Sequence, residues 1–140
     1  MEYMSGMVSN LVYKSKFIEY NKDMTDNTPE SVRVLHECVK LQLSKSNDYQ
    51  NVNSRVRQAD YFPRGMATIL DIVQIKVLRM RSVLEAMEHD QSYEPNFESL
   101  EDSSKDLINY ASFMTTYLRG KMDGQNTDCD FLNRPVHSND

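Results

Sequence analysis

The chain has 140 residues and a formal net charge of −5, which suits one domain and disfavours a broad electrostatic footprint for duplex nucleic acid. No run of 18 apolar residues is present, and the N-terminus lacks a basic region followed by an apolar one, so the chain reads as soluble, unsecreted and cytoplasmic, with no membrane partner. Cys38 and Cys129 have no CxxC spacing, and His36, His89 and His137 form no HExxH pair, which disfavours zinc chemistry and leaves Cys38 as a buried free thiol.

In chain order, residues 1–27 form an N-terminal segment, in which Val8, Leu11, Val12, Ser15 and Ile18 fit a short amphipathic helix. Thr28-Pro29-Glu30 then looks like a helix start, with a hydroxyl cap, proline at the first position and an acid in the first turn. Val32, Leu35, Val39 and Leu43 mark one face of that helix until about Lys45. Ser46 to Pro63 is polar and reads as a connection.

The clearest helix follows. Met66, Ile69, Leu70, Val73, Val77, Met80, Leu84 and Met87 keep helical spacing, and Ile72, Ile75 and Val83 widen the apolar arc. His89–Glu98 is a loop containing Pro95, and Ser99 is the expected cap of a third helix running to about Arg119 and stopping near Gly120. The helical domain thus spans 28–122, and 123–140 is expected to be a polar, poorly packed tail. The fold class is all-α: a small bundle of three main helices plus the N-terminal one. The second helix is apolar over too wide an arc for a lone small bundle, so a homo-oligomer, most simply a dimer, is expected.

Three segments can carry chemistry. In the third helix Asp102, Asp106 and Asn109 share a stripe offset from Leu107, Ala111, Met114 and Leu118. Hard oxygen ligands on such a stripe suit Mg²⁺. For Asp102 the competing role is a capping box with Ser99, whereas Asp106 lies beyond the first turn in an interior where Asp is a poor helix former. In the second helix Lys76 and Arg79, three residues apart, can present cations to phosphates, or can snorkel from the edge of a buried helix. Asp71 lies about 140° around the helix from Lys76 at 3.6 residues per turn and need not join them. Lys45, Asp48 and Tyr49 close the first helix and are individually weak signals. There is no P-loop, no GxGxxG and no GxSxG.

Taken together, Lys45-Ser-Asn-Asp48-Tyr49, Asp71-Ile-Val-Gln-Ile-Lys76-Val-Leu-Arg79 and Glu98-Ser-Leu-Glu-Asp102-Ser-Ser-Lys-Asp106-Leu-Ile-Asn109-Tyr110 resemble the nucleotide modification associated domain 1 family of phage and bacterial proteins. The resemblance spans roughly residues 30–120, and its last segment is the most specific. That family is distantly similar to the MazG-like all-α nucleoside triphosphate pyrophosphohydrolases. The resemblance implies a cytoplasmic, phage-type protein of nucleotide metabolism, placed in the bacterial host if phage-encoded. It further implies Mg²⁺ held by Asp102, Asp106 and Glu98. Lys45, Asp48, Tyr49, Lys76 and Arg79 would contact substrate, and Asp106, Asp102 and Asn109 would act in catalysis. Two positions depart from the pattern: Lys40 follows Glu37 where an E-x-x-E pair is usual, and Gln50 replaces a glycine. These departures keep open a second class, a non-catalytic helical protein that binds or sequesters a nucleotide. A third is a structural oligomer whose polar stripe closes a buried hydrogen-bond network.

Overall fold

The computed structural model describes residues 24–136. The expected N-terminal helix and His137 lie outside them. The chain divides into two compact units, Met1–Arg57 and Gln58–Asp140. All regular structure among the described residues is helical, as the periodicity requires, with three α-helices.

The first unit contains α1, Glu30–Tyr49. Its start differs from the sequence reading by one position. Thr28 Oγ1 accepts from Thr25 N at 3.1 Å, closing the turn before the helix, so extended Pro29 rather than Thr28 is the cap residue. The helix also passes Lys45 and ends at Tyr49. Ser46 stays helical, its hydroxyl donating to Leu43 O at 2.7 Å. His36 and Cys38 are buried, Cys38 as a free thiol, while Leu35 and Val39 are about half exposed. Periodicity fixes the spacing of a helix's faces, not which arc a neighbour covers.

The second unit begins with a 3₁₀ turn, Gln58–Tyr61, inside the stretch read as a connection. It continues with α2, Met66–His89, and α3, Leu100–Leu118. α2 starts at Gly65, with φ +57°, where a Cβ would collide with the Phe131 carbonyl and come within 2.7 Å of the Tyr117 hydroxyl. Glycine is required there on both counts. The first free N–H of α2, on Met66, donates to Phe131 O at 2.8 Å, so a distant segment caps the helix. α3 has the expected capping box: Ser99 Oγ accepts from Asp102 N, and Asp102 Oδ2 accepts from Ser99 N. It ends in a Schellman motif, with Gly120 N donating to Tyr117 O and Lys121 N to Thr116 O around Gly120 at φ +67°.

The side-chain pairs Lys76–Asp106 and Arg79–Ser103 show that a step forward on α2 is an equal step back on α3. The two helices are an antiparallel hairpin. Its core is Phe62, Ile69, Tyr117 and Met122, with Ile72, Tyr110, Phe113 and Met114 packed around them. Phe113 meets Tyr110 edge-on, ring centres 5.6 Å apart. The apolar stripe read for the third helix reaches the core at Met114 but is rotated toward the aromatic residues. Tyr110, Phe113 and Tyr117 face the core, whereas Leu118 and Ala111 are exposed. The aromatic side chains bury the larger area, and that sets the rotation.

Within the segment read as a tail, the described residues 123–136 are mostly exposed but are tied to the rest of their unit by hydrogen bonds. Ala59 N donates to Asp123 O, Gln125 Nε2 to Tyr117 O, and Asn133 Nδ2 to Pro63 O, all at 2.9–3.0 Å. Polar residues here are structural because their side chains replace missing backbone partners.

Candidate functional site

Two stripes of the hairpin meet as a polar layer. On α2, Lys76 and Arg79 continue the line of Ile69 and Ile72 toward the end of the helix; on α3, Ser103 and Asp106 continue the line of Tyr110, Phe113 and Tyr117. The alternating steps of three and four place each set on one face. Lys76 Nζ donates to Asp106 Oδ2 at 2.8 Å and to Glu98 Oε1 at 3.3 Å. Arg79 Nη1 donates to Ser103 Oγ at 2.8 Å, and Arg79 Nη2 donates to the Glu98 backbone carbonyl. Glu98 thus binds Lys76 through its side chain and Arg79 through its main chain, pinning the loop to α2 just before the α3 cap.

The layer is largely withdrawn from water: the side chains of Lys76 and Asp106 are 19% and 14% exposed. Burial works against the Lys76 ammonium, but the hydrogen bond to Asp106 and the charges of Asp106 and Glu98 outweigh it. The lysine pKa is raised above its ordinary value. Ser103 is fully buried. The sequence reading did not single it out, although its spacing from Ser99 and Asp106 places it on the seam. No sequence signal marks the Glu98 carbonyl.

The remaining candidates take other places. Asp102 faces solvent and serves the Ser99 cap, which holds its carboxyl below the usual range chiefly through the Ser99 side-chain and backbone hydrogen bonds. Asn109 is buried, and its carbonyl accepts from Ser112 Oγ at 2.6 Å. Asp71 lies on the surface 3.8 Å from Arg64, and its angular offset does not require it to join Lys76. Lys45, Asp48 and Tyr49 occupy the last turn of α1, in the first unit.

Asp102, Asp106 and Glu98, the carboxylates expected to hold Mg²⁺, all bond protein partners here. Glu98 and Asp106 converge on the Lys76 ammonium, which takes the position between them, and Asp102 is directed to Ser99. Among the described residues no three His, Cys, Asp or Glu side chains are grouped to hold a metal ion. Chemically, the layer can neutralise oxygen anions with one ammonium and one guanidinium.

No family model, curated protein or solved structure matches this chain. The family resemblance therefore rests on the three motifs alone. Among the described residues, no helix is long and apolar enough to cross a membrane.

Proposed function

We propose that this chain is a helical nucleotide-binding protein of the cytoplasm that recognises phosphate by charge, without metal-activated hydrolysis. The observation that carries this reading is the Lys76–Arg79 pair, held on one helical face and directed at oxygen atoms in a largely dry layer. Asp106 and Glu98 offer Lys76 the anionic oxygens that a phosphate chain would offer. A phosphate ligand binds by replacing those carboxylates, and Arg79 supplies the planar fork suited to a second phosphate oxygen pair. The motif resemblance supplies the nucleotide context. It also supports a second reading, Mg²⁺-dependent pyrophosphohydrolysis, which requires Glu98 and Asp106 to leave Lys76.

We further assign the chain to a homo-oligomer, most simply a dimer. Leu70, Val77 and Leu84 are 42–50% exposed at seven-residue intervals on α2. With Met66, Val73, Met80 and Met87 between them, they make the alternating three- and four-residue seam that a second helix packs against.

The test is a panel of canonical and modified (deoxy)nucleoside triphosphates, with and without Mg²⁺, following retained ligand and pyrophosphate release together. Stoichiometric retention without turnover, weakened in Lys76→Gln, is the expected result. Turnover abolished in Asp106→Asn would replace this reading by the hydrolase. If nothing is retained or turned over across the panel, the layer is a structural network only. Sedimentation of wild type against Val77→Glu tests the dimer.

A further inference from the structure

One apolar side chain beside the polar layer is left in water. Phe97 is 98% exposed, whereas Ile75, the next most exposed large apolar side chain among the described residues, is 66% exposed. Aromatic rings carry a large apolar area and are ordinarily drawn into cores or interfaces. The backbone under this ring is held on both sides. Pro95, two residues before it, restricts the chain. After it, Glu98 binds Lys76 through Oε1 at 3.3 Å and Arg79 through its main-chain carbonyl, and Ser99 closes the α3 cap with Asp102. The loop thus presents the ring to solvent from a fixed backbone, so covering it costs little ordering.

The sequence neighbour of Phe97 indicates what covers it. The Cα atoms of Phe97 and Glu98 are about 3.8 Å apart across one peptide unit, and Glu98 meets both cations of the layer. The exposed ring and the groups assigned to phosphate are therefore one residue apart on the same loop. A nucleotide has the matching arrangement, with its base separated from its phosphates by one sugar ring. Every base has a π-face that stacks on an aromatic side chain, and the larger purine face buries more area. Phosphate binding requires the Glu98 carboxylate to release Lys76, but the main-chain anchor at Ser99 does not depend on that contact.

We propose that Phe97 is the base-stacking residue of the nucleotide site and gives that site a preference for purines. The inference rests on the phosphate reading of Lys76 and Arg79. The test is calorimetric titration of the full chain with ATP, CTP and inorganic tripolyphosphate, which carries the phosphate chain without a base. Wild type should hold ATP more tightly than CTP, and CTP more tightly than tripolyphosphate. Phe97→Ala removes no buried side chain, so the urea midpoint should not move. Its ATP affinity should fall about tenfold while its tripolyphosphate affinity stays unchanged. Phe97→Trp should restore ATP affinity. Because the chain has no tryptophan of its own, the fluorescence of that variant should be quenched saturably by ATP and not by tripolyphosphate. Unchanged ATP affinity in Phe97→Ala, with tripolyphosphate binding still lost in Lys76→Gln, would overturn the stack alone and leave the phosphate reading. If neither ATP nor tripolyphosphate binds wild type, the phosphate reading falls and the stack with it. A parallel loss of tripolyphosphate affinity in Phe97→Ala would also overturn the proposal, since the residue would then act by holding the loop. Sedimentation that changes in Phe97→Ala without a change in ATP affinity would assign the ring to contact between copies instead.

Discussion

The two ends of the α2–α3 hairpin use the same geometry for opposite chemistry. At one end Ile69 and Ile72 meet Tyr110, Phe113 and Tyr117, and at the other Lys76 and Arg79 meet Asp106, Ser103 and the loop at Glu98. The apolar end gains from area removed from water and tolerates approximate fit. In the polar end, charged partners must be present together, since each would be costly alone. The apolar end therefore contributes most of the stability, while the polar end sets the register of the helices and offers groups that a ligand can compete for.

Substitutions can break this contrast. The largest effect should come from Ile69→Ala, since this side chain is fully buried; a loss of about 4 kcal/mol in urea unfolding is expected from the missing methylenes and residual cavity. At the polar end Lys76→Met should cost about 3 kcal/mol, because Asp106 and Glu98 then face each other without a cation. The double variant Lys76→Met/Asp106→Leu should recover most of that loss. If it is as unstable as the single variant, the layer is not governed by charge compensation. The same replacement should abolish nucleotide retention, a separation that Ile69→Ala does not produce.

Smaller effects sharpen the comparison. Ser99→Ala removes the α3 cap and should cost about 1 kcal/mol in the same unfolding measurement. The pH dependence provides the finest reading. Lys76 has a folded pKa above its ordinary 10.5, so its contribution is complete below that pH and is lost as pH rises through the folded value. Asp102 behaves in the opposite sense. Its folded pKa lies below 3.8, so the cap's contribution is present above that value and fades as pH falls through the depressed one. Unfolding titrations should accordingly show the alkaline slope reduced in Lys76→Met and the acidic slope reduced in Ser99→Ala.

Much of the framework was legible in the residues. The period of Met66–Met87 located α2 closely, and the Ser99/Asp102 and Gly120 signals located both ends of α3. These are local effects, in which the residue that carries the signal lies within a turn of the backbone group it satisfies. The site was only partly legible. Asp106 and the Lys76–Arg79 pair were recognisable as residues that needed an explanation, but Ser103 and the Glu98 carbonyl became partners only when the antiparallel register brought the loop against α2.

Composition and periodicity by themselves determined an all-α chain, its helix limits to within a few residues, and the capping role open to Asp102. Only the tertiary structure decided which stripe of α3 faces inward, that Glu98 and Asp106 meet at Lys76, and that the segment after Gly120 caps α2. Helical period and capping are short-range properties of the chain. Pairing a lysine with one of several acids depends on the rotation and register of two packed helices, which the aromatic core selects through buried area.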